Sequence, residues 1–307
     1  MTHPIKFGII TLQNLPWPTL VEHYQHIESL GYDSLWVGDH FVNPHDVASN
    51  WFDGWMLLAA LATQTSTIQI GTLVTNIIFR NPAVIARQAQ TLDHISNGRL
   101  ALGIGATSER DPSHRMTGVE VWSTAERVQR FREAVEIVDQ LLRQETTTYQ
   151  GRYYQVTDAQ MRPHTIQKPR PPLVLAAVGR SSLGIVAEFA DNWNTFGGWN
   201  LTPQQSLDLI RERSQQLNEY CVKIGRNPDE ITHSFLAGIT GDTPFASLDA
   251  FQDFVGRYSE IGISEFIFYY DYPLIPSDKC LNRAMLERIA TEAIPAIKAN
   301  YSENSKQ

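Results

Sequence analysis

The sequence has few cysteines, no long apolar stretch and no block of basic residues. Of the 307 residues only 2 are cysteines, and they form no C-x-x-C pair, which excludes a disulfide framework and a cysteine-based zinc module. The longest apolar stretch, Met56 to Ala62, is far shorter than the roughly 20 residues that a membrane-spanning helix needs. Because the first residues also lack the pattern of a signal peptide, we expect a reduced protein of the cytoplasm that does not enter a membrane.

The net charge and the absence of two catalytic motifs narrow the range of possible functions further. The formal net charge is −8 and the basic residues are scattered, so we expect neither nucleic acid nor an anionic membrane surface as a partner. An anionic ligand would have to be held by local features such as helix N-termini. The chain has no H-E-x-x-H and no G-x-S-x-G motif, so we expect no metal site and find no support for a barrel hydrolase.

Strand-like and helix-like segments alternate along the chain. Eight short runs predict strands, and most are dense in apolar residues rather than alternating, which is typical of parallel strands covered on both faces. Amphipathic stretches between them, such as residues 124–143 and 203–225, predict helices. The eight runs are Lys6–Ile10, Ser34–Val37, Ile68–Val74, Arg99–Ile104, Leu173–Val178, Asn192–Phe196, Ile231–Ile239 and Glu265–Tyr270.

This alternation predicts an α/β protein that forms a single (β/α)8 TIM barrel over residues 1–307. The long gap between the fourth and fifth strands holds a helix and a hairpin that turns at Gln150 and Gly151. We therefore predict an insertion over about residues 144–170. A doubly wound open sheet is the alternative, because periodicity alone does not separate it from a barrel.

Polar and small residues at the strand ends are candidates for chemistry, because barrel active sites lie at the carboxyl ends of the strands. Asp39 and His40 follow the second run, where the imidazole could shuttle a proton and the carboxylate could position it. A surface turn is the alternative for this pair. Gly71, inside the third run, marks either tight packing or the close approach of a ligand or another backbone.

Two strand-end loops are candidates for cofactor contacts. After the fourth run, Gly103 and Gly105 begin like a dinucleotide fingerprint. Ser108 replaces the third glycine, however, and Asp111-Pro112 blocks immediate entry into a helix, so we reject a Rossmann site. After the fifth run, residues Gly179 to Ser182 offer backbone N–H groups, two hydroxyls and a guanidinium, which suit a phosphate. Helix capping by one of the two serines is the equal alternative.

Seven short motifs follow one another in a specific order and spacing. They are Trp36–Phe41, Gly71–Thr75, Asn81–Asp93, Ser96–Gly105, Tyr149–Tyr154, Pro169–Leu173 and Ala190–Asn194. Together they resemble the bacterial luciferase-like family of flavin- or deazaflavin-dependent oxidoreductases, over roughly residues 5–270.

The resemblance implies a barrel, commonly dimeric, that binds FMN or coenzyme F420 at the carboxyl ends of the strands. It implies a non-proline cis peptide at Leu73-Val74 behind the central ring of the cofactor, and it places Asp39 and His40 near the reaction face. Many deazaflavin members have a glutamate where this chain has Ser108, with Glu109 one position later. The other implied contacts are Ala106, Thr107 and Ser108 beside the ring and Ala176, Ala177, Val178 and Gly179, with Arg180 and Ser181 of the phosphate site, along the ribityl-phosphate arm.

These features favour an F420-dependent oxidoreductase. In it a hydride passes between the cofactor and a small organic substrate, while His40, oriented by Asp39, moves the proton. An FMN-dependent monooxygenase supplied by a partner reductase is the first alternative, and a non-catalytic flavin-binding protein is the second. A homodimer and a separate flavin or F420 reductase are the further partners that we expect.

Overall fold

Eight parallel strands lie side by side around a common interior. The computed structural model describes residues 3–272 and 274–304. Within these residues the strands are β1 (Lys6–Thr11), β2 (Ser34–Val37), β3 (Gln69–Thr72), β4 (Thr75–Asn76), β5 (Leu100–Gly105), β6 (Thr147–Gln150), β7 (Gln155–Ala159), β8 (Leu173–Ala176), β9 (Asn192–Thr195), β10 (Thr232–Leu236) and β11 (Glu265–Tyr270).

Hydrogen bonding between the strands closes the sheet. The order is β3, β2, β1, β11, β10, β9, β8 and β5, and a further parallel pairing joins β3 to β5. The short strand β4 pairs with the end of β5, and β6 and β7 form a separate antiparallel hairpin. The predicted barrel is confirmed, and the open sheet is excluded because it would leave β3 and β5 unpaired at two edges.

Helices connect successive strands and cover the outside of the barrel. They are α1 (Trp17–Ser29), α2 (Gly54–Ala62), α3 (Pro82–Ile95), α4 (Ser113–Thr117), α5 (Thr124–Arg143), α6 (Arg180–Phe189), α7 (Pro203–Lys223), α8 (Leu248–Ser259), α9 (Arg283–Arg288) and α10 (Ile294–Asn304). Side-chain caps start several of them; for example, the side chain of Asn81 accepts the Ala83 N–H at the start of α3. Across residues 3–272 and 274–304, no helix has both the length and the apolar character needed to cross a bilayer.

The predicted insertion between the fourth and fifth barrel strands is present. The β6–β7 hairpin lies within the predicted residues 144–170, and α4 and α5 precede it. The turn of this hairpin is fixed by a carboxylate of α5. Glu133 accepts the backbone N–H groups of Arg152, Tyr153 and Tyr154 at 2.9 to 3.0 Å. The Glu133 carboxylate therefore supplies hydrogen-bond acceptors for three backbone N–H groups of the turn.

The barrel interior is polar at its amino end and apolar toward its carboxyl end. At the amino end the buried Glu265 carboxylate accepts from Asn192 Nδ2 at 2.6 Å and from the Ser34 hydroxyl at 3.1 Å. Burial raises the pKa of Glu265 above its ordinary value, and Lys6 and the two hydrogen bonds only partly oppose this. Further up, an apolar cluster fills the interior and includes Ile10, Trp36, Ala101, Val174, Ile267 and Tyr269.

Candidate active site at the carboxyl ends of the strands

Asp39 follows β2 and ties three strand ends together. Its carboxylate is buried and accepts from Arg80 Nη1 at 2.5 Å and from the backbone N–H of Asn76 at 3.0 Å. The Asn76 side chain in turn donates to the Thr107 hydroxyl at 3.0 Å. Burial raises the pKa of Asp39, and the Arg80 guanidinium opposes that shift. This network fixes the rim where β2, β4 and β5 end.

The expectation that Asp39 orients His40 is wrong. His40 Nδ1 lies 2.6 Å from Oδ2 of Asp111, a residue in the loop after β5. The Asp39 side chain is engaged by Arg80 and Asn76 instead. Asp39 and His40 therefore have different partners although they are adjacent in the sequence. The carboxylate that contacts the imidazole therefore comes from a different strand end.

Asp111 is held firmly in place beside His40. Its side chain is only 3% exposed, and its Oδ1 accepts the Ser113 N–H at 2.8 Å. Burial alone would raise the pKa of Asp111. Hydrogen bonds from His40 and Ser113, together with the charge of His40, lower this pKa to about 2. At neutral pH Asp111 is therefore an ionised hydrogen-bond acceptor.

The remaining edges of the His40 ring have defined neighbours. The Trp51 ring lies edge-on to it with centroids 6.5 Å apart, and Trp51 Nε1 donates to the His40 carbonyl at 2.9 Å. A Cβ added to Gly38 would lie 3.3 Å from His40 Cδ2, so the ring packs closely over that glycine. His40 is half-buried, and Nε2 is the ring nitrogen that Asp111 does not engage.

The peptide bond between Leu73 and Val74 is cis, at the position that the resemblance implied. It lies between β3 and β4, and two glycines of β5 make room for this bulge. A Cβ on Gly103 would lie 1.8 Å from the Thr72 carbonyl oxygen, and one on Gly105 would lie 2.4 Å from a Val74 methyl carbon. Gly71 faces a neighbouring backbone, because a Cβ there would lie 2.4 Å from the Ala101 carbonyl oxygen.

The residues that were predicted to contact the cofactor from the loop after β5 have different surroundings. Thr107 has φ = 61° and accepts from Asn76, so it belongs to the rim network. The Ser108 carbonyl accepts from His114 Nε2 at 2.8 Å, while Ala106 is half-buried beside them. Glu109 is exposed and pairs with Arg127 at 3.4 Å. The carboxylate near the site is thus Asp111 rather than Glu109.

The start of α6 presents an open set of backbone donors. Gly179 precedes the helix, no side chain caps it, and the Ser182 hydroxyl donates to the Gly179 carbonyl at 2.8 Å. The capping alternative therefore does not apply, since neither serine accepts from the first-turn N–H groups. Val178, Gly179, Arg180 and Ser181 are exposed, whereas Ala177 is buried and Ala176 half-buried. This geometry suits an anion at the helix start.

Half-buried apolar side chains lie at the carboxyl ends of several strands. The half-buried side chains of Trp51, Val74, Leu236, Ile239 and Ile275 pack against the interior cluster of the barrel. They come from the ends of β2, β3, β10 and β11 and from the loops that follow these strands. Apolar side chains at a barrel mouth suit the face of a flat ligand.

Several residues of this site were missed by reasoning from the sequence. Arg80 and Asn76 were not singled out, and Asp111 was noted only as part of a pair that blocks helix entry. The residues combine with Asp39 and His40 across separations of 37 to 71 positions. Their only signal in the sequence is that each follows shortly after a strand-like run.

Comparison with known proteins gives one family and a consistent set of relatives. The family described as luciferase-like monooxygenase matches residues 2–287. An F420-dependent glucose-6-phosphate dehydrogenase of Kineococcus radiotolerans is 33% identical over 68% of this chain and 60% of its own length. A 5,10-methylenetetrahydromethanopterin reductase of Archaeoglobus fulgidus is 32% identical over 61% of this chain and 52% of its own length. The matched segment therefore spans little more than half of these curated relatives.

A solved structure supports the fold over almost the whole chain. An F420-dependent secondary alcohol dehydrogenase in complex with an F420–acetone adduct superposes with a TM-score of 0.79 and covers 96% of this chain and 99% of its own. The two sequences are 19% identical, so this likeness concerns the barrel and not its substrate.

Proposed function

Because this chain belongs to the luciferase-like monooxygenase family, we propose that it is a coenzyme F420-dependent oxidoreductase acting on a small organic substrate. The observation that carries the proposal is the His40–Asp111 pair beside an apolar mouth and an uncapped helix start. One of the relatives is named as an F420-dependent dehydrogenase, which supports F420 rather than FMN as the cofactor.

The residues present fit such a cofactor. A flat ring suits the half-buried apolar side chains at the mouth, and the bulge at Leu73 and Val74 would lie beneath it. The phosphate of its side chain suits the uncapped start of α6, where Arg180 adds a positive charge against the overall charge of −8. The residues that would hold it are Asp39, Leu73, Val74, Ala106, Thr107, Ser108, Ala176, Ala177, Val178, Gly179, Arg180 and Ser181.

When bound, the deazaflavin supplies a carbon that accepts or gives a hydride. The chain supplies the other needs of such a reaction. The apolar side chains at the mouth exclude water from the reacting face, and the rim network around Asp39 keeps the strand ends fixed. His40 takes up or releases the proton that accompanies hydride transfer.

Binding and turnover test the proposal. Purified protein is dialysed against F420 and against FMN, and the heat-unfolding midpoint is measured with each. We expect F420 to raise the midpoint and FMN not to do so. The loaded protein is then supplied with glucose 6-phosphate and with secondary alcohols, and reduction of F420 is followed by absorbance. Tighter binding of FMN would favour the monooxygenase alternative, and binding of neither would remove the redox proposal.

We also propose that two copies of this chain associate through the face formed by α2 and α3. A groove of about 200 Å³ lies there, lined by Trp55, Met56, Ala59, Leu92 and Ile95 among others. Met56 is 73% exposed and Ile95 is 44% exposed, which is unusual for a helix face that stays in water. A face packed on its own copy in a symmetric pair would cover both side chains. Sedimentation velocity should show a dimer, and Met56→Asp should give the monomer.

A further inference from the structure

We propose that Asp111 is a positioning residue that fixes His40 with its ring proton on Nδ1, so that Nε2 is the atom that exchanges a proton with the substrate. The inference rests on the proposed function only for the identity of the reaction. The tautomer itself is a property of the chain without any ligand.

The first step is the contact between the two side chains. His40 Nδ1 and Asp111 Oδ2 are 2.6 Å apart, which is a hydrogen-bond distance for a charged acceptor. An ionised carboxylate can only accept, so the nitrogen must donate. In the neutral imidazole this places the single proton on Nδ1 and leaves the lone pair on Nε2.

The second step is the rigidity of the acceptor. The Asp111 N–H donates to the Ser108 carbonyl at 3.2 Å, and its Oδ1 is occupied by the Ser113 N–H. The Ser113 hydroxyl accepts the N–H of Phe41, the residue next to His40, at 3.1 Å. The loop after β5 is therefore bound to the segment after β2 by a second contact beside the pair, and Asp111 is held by two contacts within its own loop. Asp111 cannot turn away without breaking these contacts.

The third step is the chemistry at Nε2. In oxidation of a hydroxyl group, the substrate carbon gives its hydride to the cofactor and the hydroxyl proton passes to Nε2, leaving a carbonyl. The imidazolium that forms is stabilised by Asp111 and then loses the proton to water. The hydride carries two electrons and one proton from the substrate and the hydroxyl gives the second proton, whereas the proton that completes the reduced cofactor would come from water. His45, on the loop after β2, also interacts electrostatically with His40.

The ligand-free protein provides the decisive test. Ring nitrogen shifts of labelled histidine, assigned by comparison with His40→Asn, should report the Nδ1–H tautomer of His40 at pH 8. Asp111→Asn offers an amide N–H to Nδ1 and should move the proton to Nε2, whereas Asp111→Glu keeps an acceptor and should retain Nδ1–H. Glu109→Gln, in the same loop but exposed and paired with Arg127, is the matched control and should leave the spectrum unchanged.

Kinetics then separates positioning from structure. Asp111→Asn should lower kcat by about 100-fold or more, as expected for loss of a proton-transfer group, with the KM and the F420 affinity unchanged. Asp111→Glu should restore most of the rate. An Nε2–H tautomer in the parent protein, or an unchanged tautomer in Asp111→Asn, would overturn the proposal. If the tautomer is as expected but F420 does not bind, the proposed function fails and the role of Asp111 in fixing the tautomer stands.

Discussion

Removing Arg80 tests how much the buried rim network contributes to stability. Arg80 is the cation paired with Asp39, and their side chains are 13% and 3% exposed. In Arg80→Leu the Asp39 carboxylate keeps only the Asn76 N–H as a partner. Breaking a buried ion pair by removing one member costs about 3–5 kcal/mol, because the other charge is left uncompensated. For 307 residues the unfolding entropy is about 0.65 kcal/mol/K, so we expect the unfolding midpoint to fall by about 5–8 °C.

Two further variants separate charge from packing. Asp39→Asn combined with Arg80→Leu removes both charges and should recover much of the lost stability. Arg283→Leu removes a cation whose pair with Glu22 is exposed on both sides, and it should leave the midpoint unchanged. Differential scanning calorimetry at pH 7 measures all of them at one heating rate.

The pH dependence of Arg80→Leu gives a second criterion. Burial raises the pKa of Asp39 in the folded protein and the Arg80 guanidinium opposes this shift, so removal of Arg80 should raise the pKa of Asp39 further. The deficit of Arg80→Leu should therefore be small below the ordinary aspartate pKa, near 4, and should grow as the pH rises through the folded value. A variant that unfolds within 1 °C of the parent protein at pH 7 would show that the pair does not behave as a buried charge.

Two other substitutions probe the interior and the bulge. Burial raises the pKa of Glu265. The contribution of this group to the free energy of unfolding is therefore fully present below its unfolded pKa and is lost as the pH rises through its folded pKa. Glu265→Gln should therefore be more stable than the parent at pH 8 and less dependent on pH, as judged by urea unfolding at pH 5 and pH 8. Gly103→Ala should destabilise the protein by at least about 1–3 kcal/mol and abolish F420 binding, because its Cβ would overlap the Thr72 carbonyl. Gly184→Ala in α6, where a Cβ meets nothing within 4 Å, is the control and should stabilise slightly. Equal effects of the two alanines would contradict the packing argument.

The barrel was accessible from the sequence because its strands and helices are encoded locally. The strand-like run Ser34–Val37 and the helix Thr124–Arg143 were predicted at the bounds that the structure has. The third strand was predicted through Val74 but ends at Thr72, and the Leu73-Val74 peptide that follows is cis. The cis peptide was implied by the family resemblance and not by any propensity of Leu or Val.

The partner of His40 could not be obtained in this way, and the reason is geometric. Asp39 and His40 are adjacent in the sequence, yet their side chains bind different partners. The carboxylate that reaches the imidazole belongs to Asp111, which follows β5 and lies 71 positions from His40, and β3 separates β5 from β2 in the sheet. The same is true of Arg80, which lies 41 positions from Asp39. At this rim the adjacent Asp39 and His40 therefore belong to two separate contacts, and the partner of each follows a different strand from the one that precedes the pair.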